Sequence, residues 1–335
     1  MHKALFYEKL EDKKVICRLC NHFCVITNNS AGICSVRINK EGTLYTLVYG
    51  KIVADNIDPI EKKPFFHFLP GSFSYSISTV GCNFQCGFCQ NYEMAQAPRM
   101  GIFPDVPDVG PEQVIKKALQ YNCQSISYTY TEPTIFFEFV YDCCKIAKQQ
   151  GLKNNFVTNG FISPDALEMI APYLDAANVD VKGNEDFYTS VCKARFEPVL
   201  QNIRRMKKLG IWVEITTLLI PEYNDNNKTF DMLSKKFFDI DPEMPWHFSR
   251  FFPAYKFSNH YPTPEQTVYK YRENALKMGF KYVYAGNISE EGQTESTKCP
   301  QCSKLLIKRS GFSVLENNIK KDICPDCGRK ISGVF

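Results

Sequence analysis

Long apolar runs are missing from this chain. No stretch approaches the roughly 18 to 20 apolar residues that cross a bilayer, and the opening MHKALFYEKLEDKK lacks the apolar core of a secretion signal. A cytosolic protein is therefore expected. An excess of one charge is missing too: 40 lysines and arginines face 36 aspartates and glutamates, with no long single-sign run. The basic surface that nucleic-acid binding usually needs is thus unsupported. At 335 residues, 44% apolar and 23% charged, the chain has room for one domain of about 200 to 250 residues plus one or two small modules.

Cysteine is abundant, at fifteen residues. Disulfides are the default reading only in a small secreted chain, so the grouping matters more than the number. Three tight sets stand out: Cys17, Cys20, Cys24 and Cys34; then Cys82, Cys86 and Cys89; then Cys299, Cys302, Cys324 and Cys327. Such clustering points to metal binding in a reducing compartment. Cys123, Cys143 and Cys144 have no metal-ligand spacing and read as structural, and a lone Cys192 reads as a small buried hydrophobe.

Between about residues 75 and 285, β-branched or aromatic runs alternate with helical patterns, the signature of βα units and a parallel sheet. The pattern predicts strands at Ser74–Thr79, Ser125–Tyr130, Lys153–Val157, Ala177–Lys182, Trp212–Leu219 and Trp246–Phe251, and a further one near Lys281–Gly286. Helical stretches such as PEQVIKKALQY, TIFFEFVYDCCKIAKQQ and EPVLQNIRRMKKLG separate most of them. The expected class is α/β, a partial (βα)6 TIM-like barrel over residues 51–290 with its chemistry at the C-terminal strand ends. Residues 1–50 and 291–335 break the rhythm and read as small cysteine-rich metal-binding modules.

The segment GCNFQCGFCQN, directly after the first of these strands, holds C-x3-C-x2-C at Cys82, Cys86 and Cys89. A closed four-iron cluster takes four cysteines, so three leave one iron with an open position. S-adenosylmethionine can occupy it through its amino and carboxylate groups, and an electron from the cluster then breaks the carbon–sulfur bond to give a 5'-deoxyadenosyl radical. Thiolates suit iron as soft donors, while Asn83 and Gly87 suit a loop folded tightly around a cube. Phe88 is placed to lie against the adenine. The plainer reading is a zinc loop with an unseen fourth ligand, or three buried cysteines.

This spacing resembles that of the radical SAM superfamily. The segments DPIEKKPFFHFLPG, YTYTEPTIFFEF, FVTNGF, VDVKG, VCKARFEPVL, EITTLLIPEYND, HFSRFFPAYK and YVYAGN follow in the order of one subgroup. That subgroup is the radical SAM component of the AmmeMemoRadiSam system, similar to pyruvate formate-lyase activating enzymes. The resemblance implies that Glu132 receives the methionine amino group, although Thr131 and Pro133 flank it here in place of glycines. It also implies that Thr158 and Asn159 approach the cofactor. Asp180 and Lys182 alternate with Val179 and Val181 on one strand, so their side chains share a face, either to hold the zwitterionic cofactor or to pair with each other. His247 and Arg250 are the candidate catalytic residues, with Phe252 standing nearest to where some relatives carry a histidine.

In the C-terminal module, CPQC and CPDC lie 21 residues apart, a four-sulfur arrangement that suits zinc, with a single iron as competitor. The N-terminal C-x2-C-x3-C-x9-C set, with His22 nearby, suits zinc or a second iron–sulfur cluster. The expected function is an activating-enzyme-like radical SAM oxidoreductase that works anaerobically on an open substrate. The partners implied are a reductant such as flavodoxin or ferredoxin and Memo-like and AMMECR-like proteins. The alternatives are a radical enzyme modifying RNA through its zinc ribbon, and a non-catalytic metal-bound assembly module.

Overall fold

In a computed structural model, which describes residues 1–288 and 294–335, the parallel sheet forms where the βα rhythm predicts it. Six short strands come first: His2–Lys3, Tyr7–Lys9, Val15–Cys17, Val25–Ile26, Arg37–Lys40 and Thr43–Thr46 (β1 to β6), arranged as two three-stranded antiparallel sheets. The large sheet follows, with Ala54–Pro59 (β7), Phe73–Ser78 (β8), Ser125–Tyr128 (β9), Lys153–Thr158 (β10), Ala176–Asp180 (β11), Trp212–Leu219 (β12), Trp246–Arg250 (β13) and Val283–Gly286 (β14). Its spatial order is the sequence order, β7 to β14; every neighbouring pair is parallel except β7 with β8. Thr297–Lys298, Leu305–Ser310 and Ser313–Asn317 (β15 to β17) make a last antiparallel sheet. The boundary expected at 290/291 lies outside the described residues. No helix among them is long and apolar enough to cross a membrane.

Alternation along the strands sorts side chains between two faces. Trp246 and Phe248 pack against Phe230, Phe237 and Tyr271 of the covering helices, so His247 and Ser249 point to the helix-free side. That side is polar: Ser74 Oγ lies 2.6 Å from Ser127 Oγ, Ser127 donates to Asn155 Oδ1 at 2.7 Å, and Thr216 donates to Asn178 Oδ1 at 2.8 Å. The helix Phe196–Lys208 shows why the outer layer forms. Its buried Phe196, Val199, Leu200, Ile203 and Met206 recur on one stripe. The chain then turns at Gly210, whose φ of +79° suits glycine.

Two predicted strands end two residues earlier than expected. Tyr130 adopts φ +62°, a left-handed conformation that cannot continue a ladder, so β9 stops at Tyr128; Lys182 lies beyond the end of β11. Strand β7 has no counterpart in the sequence pattern because ADNIDP is an edge strand with polar, mostly exposed residues.

Both end modules share core with the sheet. Val15, Leu19, Ile26, Val36 and Leu44 belong to the same apolar cluster as the strands of the large sheet and the helices that cover it. Arg37 and Glu138, each 2% exposed, join the N-terminal module to the helix Phe137–Gln149 at 2.9 Å. At the other end, Val334 bridges Phe68, while buried Arg309 donates to Phe66 O and pairs with Glu61 at 3.4 Å.

His67 fastens this C-terminal contact. Its Nδ1–H donates to Ser332 O at 2.7 Å, and its Nε2 accepts from Tyr284 at 2.6 Å, so the ring is held neutral. Burial pushes its pKa down to about 4 from the ordinary 6.5. The unfolded chain therefore takes up a proton near pH 6.5 that the folded chain refuses until about pH 4. Stability is fully present above pH 6.5 and is lost as pH falls, by a contribution on the order of 3 kcal/mol. Melting temperatures of wild type and His67→Gln, compared between pH 7 and pH 4.5, should converge as the pH drops. A gap that does not change with pH would remove His67 from this role.

Candidate metal centre and cofactor site

The loop after β8 carries Cys82, Cys86 and Cys89 at the C-terminal end of the sheet. It is closely packed. A Cβ on Gly81, at φ +103°, would lie 2.7 Å from Val36, and one on Gly87 would lie 2.7 Å from the Phe257 ring. The Phe84 amide donates to Cys82 Sγ at 3.3 Å, and Arg99 Nη2 donates to Cys82 O at 2.6 Å. Burial pushes the Cys82 thiol well up and raises that of Cys89 to about 11; Cys86 is raised first by a hydrogen bond with Cys192 and then by burial. Metal capture by these thiols must therefore release protons.

Glu132 is the knot of the neighbouring strand ends. It is 3% exposed, and its Oε1 accepts from the Thr134 amide at 3.1 Å, from the Thr134 hydroxyl and from Thr158 Oγ1 at 2.8 Å. Its Oε2 accepts from the Asn159 amide at 2.8 Å. Asn159 Nδ2 in turn donates to Asn83 Oδ1 at 2.7 Å, which ties the β10 end to the cysteine loop. Burial raises the Glu132 pKa against the opposing effect of these donors.

Lys182 Nζ meets Asp180 Oδ2 at 3.2 Å, so the two charges pair with each other. Although burial opposes its charge, the Asp180 carboxylate beside it holds Lys182 protonated. Its ammonium also lies 5.7 Å from the centre of the Phe88 ring. Phe88 itself is 5% exposed and packs on Phe187 and Phe257, which makes it part of the wall behind the loop.

The sequence profile of the radical SAM superfamily matches residues 76–233, which span this loop and β8 to β12. An uncharacterized protein of Methanocaldococcus jannaschii is 45% identical over the full length of both chains. This chain belongs to the radical SAM superfamily. A radical SAM methyltransferase from Sphaerobacter thermophilus shares the fold at TM-score 0.51, with 15% identity over 70% of this chain and 71% of that one. A domain of a pyruvate-formate lyase-activating enzyme from Bacteroides vulgatus aligns at TM-score 0.42, with 18% identity over 49% of this chain and 99% of that domain.

Membership in the radical SAM superfamily implies an iron–sulfur cluster and S-adenosylmethionine, and the residues here fit both. Asn83 Nδ2 and Arg99 Nε, both beside Cys82, are buried N–H groups with no acceptor among the described residues. A sulfide-bearing anionic group is the kind of partner they lack. On the helix-free face Asn155 Nδ2 is also unpartnered.

Of the candidate catalytic residues in this radical SAM protein, His247 lies on the wall of a cavity shared with Thr216, Ser249, Lys62 and Phe312. Its Nε2–H donates to Glu214 at 2.7 Å, and its ring stacks on Tyr284. Glu214 is wholly buried and also accepts from the amides of Phe66 and His67 and from the Trp212 indole. Against the effect of its burial, His247 and these donors keep Glu214 ionised. The sequence reading missed Glu214; the available signal was a lone acid in WVEITTLL, in alternation with Thr216. Arg250 is occupied elsewhere: it donates to Thr263 O at 2.7 Å and pairs with Glu265 at 2.8 Å. Phe252 is 41% exposed.

All fifteen cysteines are free thiols. The ligand sulfurs of Cys299, Cys302, Cys324 and Cys327 lie within 4.8 Å of one another, a set that can hold a metal ion. Cys299 and Cys327 are 3.6 Å apart, as are Cys302 and Cys324, close to the about 3.8 Å expected of sulfurs tetrahedral at 2.3 Å from one ion. Cys17, Cys20, Cys24 and Cys34 line a separate cavity with His22, whose Nε2 bonds Asn83 O at 2.9 Å.

Proposed function

We propose that Cys82, Cys86 and Cys89 hold a 4Fe-4S cluster with one iron open to S-adenosylmethionine, in an activating-enzyme-like oxidoreductase that removes hydrogen from its substrate. The observation that carries this reading is the convergence of three thiols with Glu132, Asn159, Asp180 and Lys182 at successive strand ends. When bound, this pair of groups supplies a 5'-deoxyadenosyl radical by one-electron reductive cleavage.

The remaining work falls to the chain. Charged Lys182 is available to a carboxylate, and Asp180 to an ammonium or a ribose hydroxyl. The Glu132 network fixes the Asn159 turn against the cysteine loop. Phe88, Phe187 and Phe257 exclude water from one side of it. Glu214 holds His247 toward the cavity, where the ring can orient a polar substrate. The C-terminal sulfur set is proposed to hold structural zinc, since thiolates at single-ion spacing suit that metal. Flavodoxin or ferredoxin is the class of reductant required in a reducing, cytosolic compartment, and Memo-like and AMMECR-like proteins are the proposed companions.

Anaerobic reconstitution followed by reduction should convert S-adenosylmethionine into 5'-deoxyadenosine and methionine. Deuterated candidate substrates would then reveal the target by passing label into 5'-deoxyadenosine. Protein loaded with iron at the triplet that yields no 5'-deoxyadenosine would refute the reading.

A further inference from the structure

We propose that Cys17, Cys20, Cys24 and Cys34 form a site for a second iron–sulfur cluster, ligated by all four cysteines, beside the radical SAM loop. Sulfur spacing is the first argument. Among the described residues, the C-terminal four are the one set of three or more cysteine, histidine or acidic ligands whose atoms all lie within 4.8 Å of one another. The N-terminal four are spread more widely, as are Cys82, Cys86 and Cys89. A single tetrahedral ion draws its sulfurs to about 3.8 Å from each other. A cube of iron and sulfide holds its outer thiolates apart. The N-terminal quartet thus shares its wide spacing with the triplet.

The sulfurs ring a chamber walled by Leu19, Ile26, Ile33 and Ile135. Arg37 also lines the chamber and is 2% exposed. Its Nη1 serves Glu138 and its Nη2 the Leu5 carbonyl, which leaves Nε buried without an acceptor among the described residues. Inorganic sulfides are acceptors that a bare zinc site would not add. The amides of His22, Ile33 and Val36 point to Cys20, Cys24 and Cys34, as thiolate ligands require.

The location gives the site a use. Asn83 and Thr134 form part of the chamber wall, Asn83 follows Cys82 directly, and Thr134 bonds Glu132. Cys20 and Cys24 are half-buried, so the chamber stands between solvent and the radical SAM loop. One electron from a flavodoxin- or ferredoxin-class donor, oxidised by one electron in the exchange, can pass through the quartet to the triplet with no bond made or broken.

Metal content tests the site without reference to turnover. A Cys82→Ala/Cys86→Ala/Cys89→Ala chain, reconstituted anaerobically, should retain about four irons and four sulfides together with about one zinc. Retention of about two zincs and background iron overturns the proposal. Should that variant fail to fold, the wild-type chain decides: about eight irons and one zinc support the second cluster, whereas about four irons and two zincs exclude it. Cys24→Ser should then change the spectrum of the second cluster and leave the zinc in place. Loss of iron from the triplet alone leaves this proposal standing and removes only the radical reading, so the two fail separately.

Discussion

Cys86→Ala should abolish reductive cleavage of S-adenosylmethionine, lowering 5'-deoxyadenosine production by at least about 10³-fold, beyond the 10- to 100-fold typical of changes outside the ligand shell. Three thiols are the minimum that leaves one iron open, and the loop has no spare. Cys192 is the nearby thiol that tests this count. It is fully buried, hydrogen-bonds Cys86, and accepts from the Gln85 amide through its carbonyl at 3.0 Å. As a neighbour and not a ligand, Cys192 replaced by alanine should leave iron content intact and cleavage within a few fold. The fold should survive both changes, since each removes one small side chain at a cost of about 1 kcal/mol. Iron analysis, electron paramagnetic resonance and chromatography of 5'-deoxyadenosine on both variants read the outcome. A Cys192→Ala protein without iron would make Cys192 a ligand and close the iron that the mechanism needs open.

The strands were legible because their residues alternate and their termini carry turns. The predicted Trp212–Leu219 is β12 to the residue, and Trp246–Phe251 overshoots β13 by one. The cysteine loop was legible because its spacing is local. Partnership was not. Asp180 and Lys182 lie two residues apart, and alternation could not distinguish a pair that binds a zwitterion from a pair that binds itself. The sequence points Glu132 at an ammonium, yet most of its acceptor capacity goes to Thr134 and to Thr158 and Asn159, the latter two brought to it only by folding. Loop position alone places Phe88; the partners that bury it, Phe187 and Phe257, lie about 100 and 170 residues away in sequence. Glu214 was hidden for the same reason. Its four donors come from the Phe66–His67 amides, Trp212 and His247, so nothing local marks it as a hub.

Glu132→Gln should cost about 1 to 3 kcal/mol of stability and lower S-adenosylmethionine cleavage about 10- to 100-fold. The carboxylate offers two acceptor oxygens to donors on opposite sides: the Thr134 and Thr158 groups at Oε1, and the Asn159 amide at Oε2. Glutamine has one acceptor oxygen and one amino group. The threonine hydroxyls can rotate to receive an N–H, but the backbone amides of Thr134 and Asn159 cannot. Whichever way the glutamine turns, one buried N–H faces another. If the Asn159 side loses, its turn shifts and the 2.7 Å bond from Asn159 to Asn83 weakens, so the strain arrives at the cysteine loop. The distinguishing readout is therefore the cluster's magnetic resonance spectrum without S-adenosylmethionine. A positioning role for Glu132 alters that spectrum before any cofactor is added. Direct contact alone would leave it unchanged and raise only the dissociation constant for S-adenosylmethionine. An unaltered spectrum, affinity and melting temperature together would show that Glu132 does neither, and the join between the β10 turn and the cysteine loop would then have to rest on Asn159 and Asn83 alone.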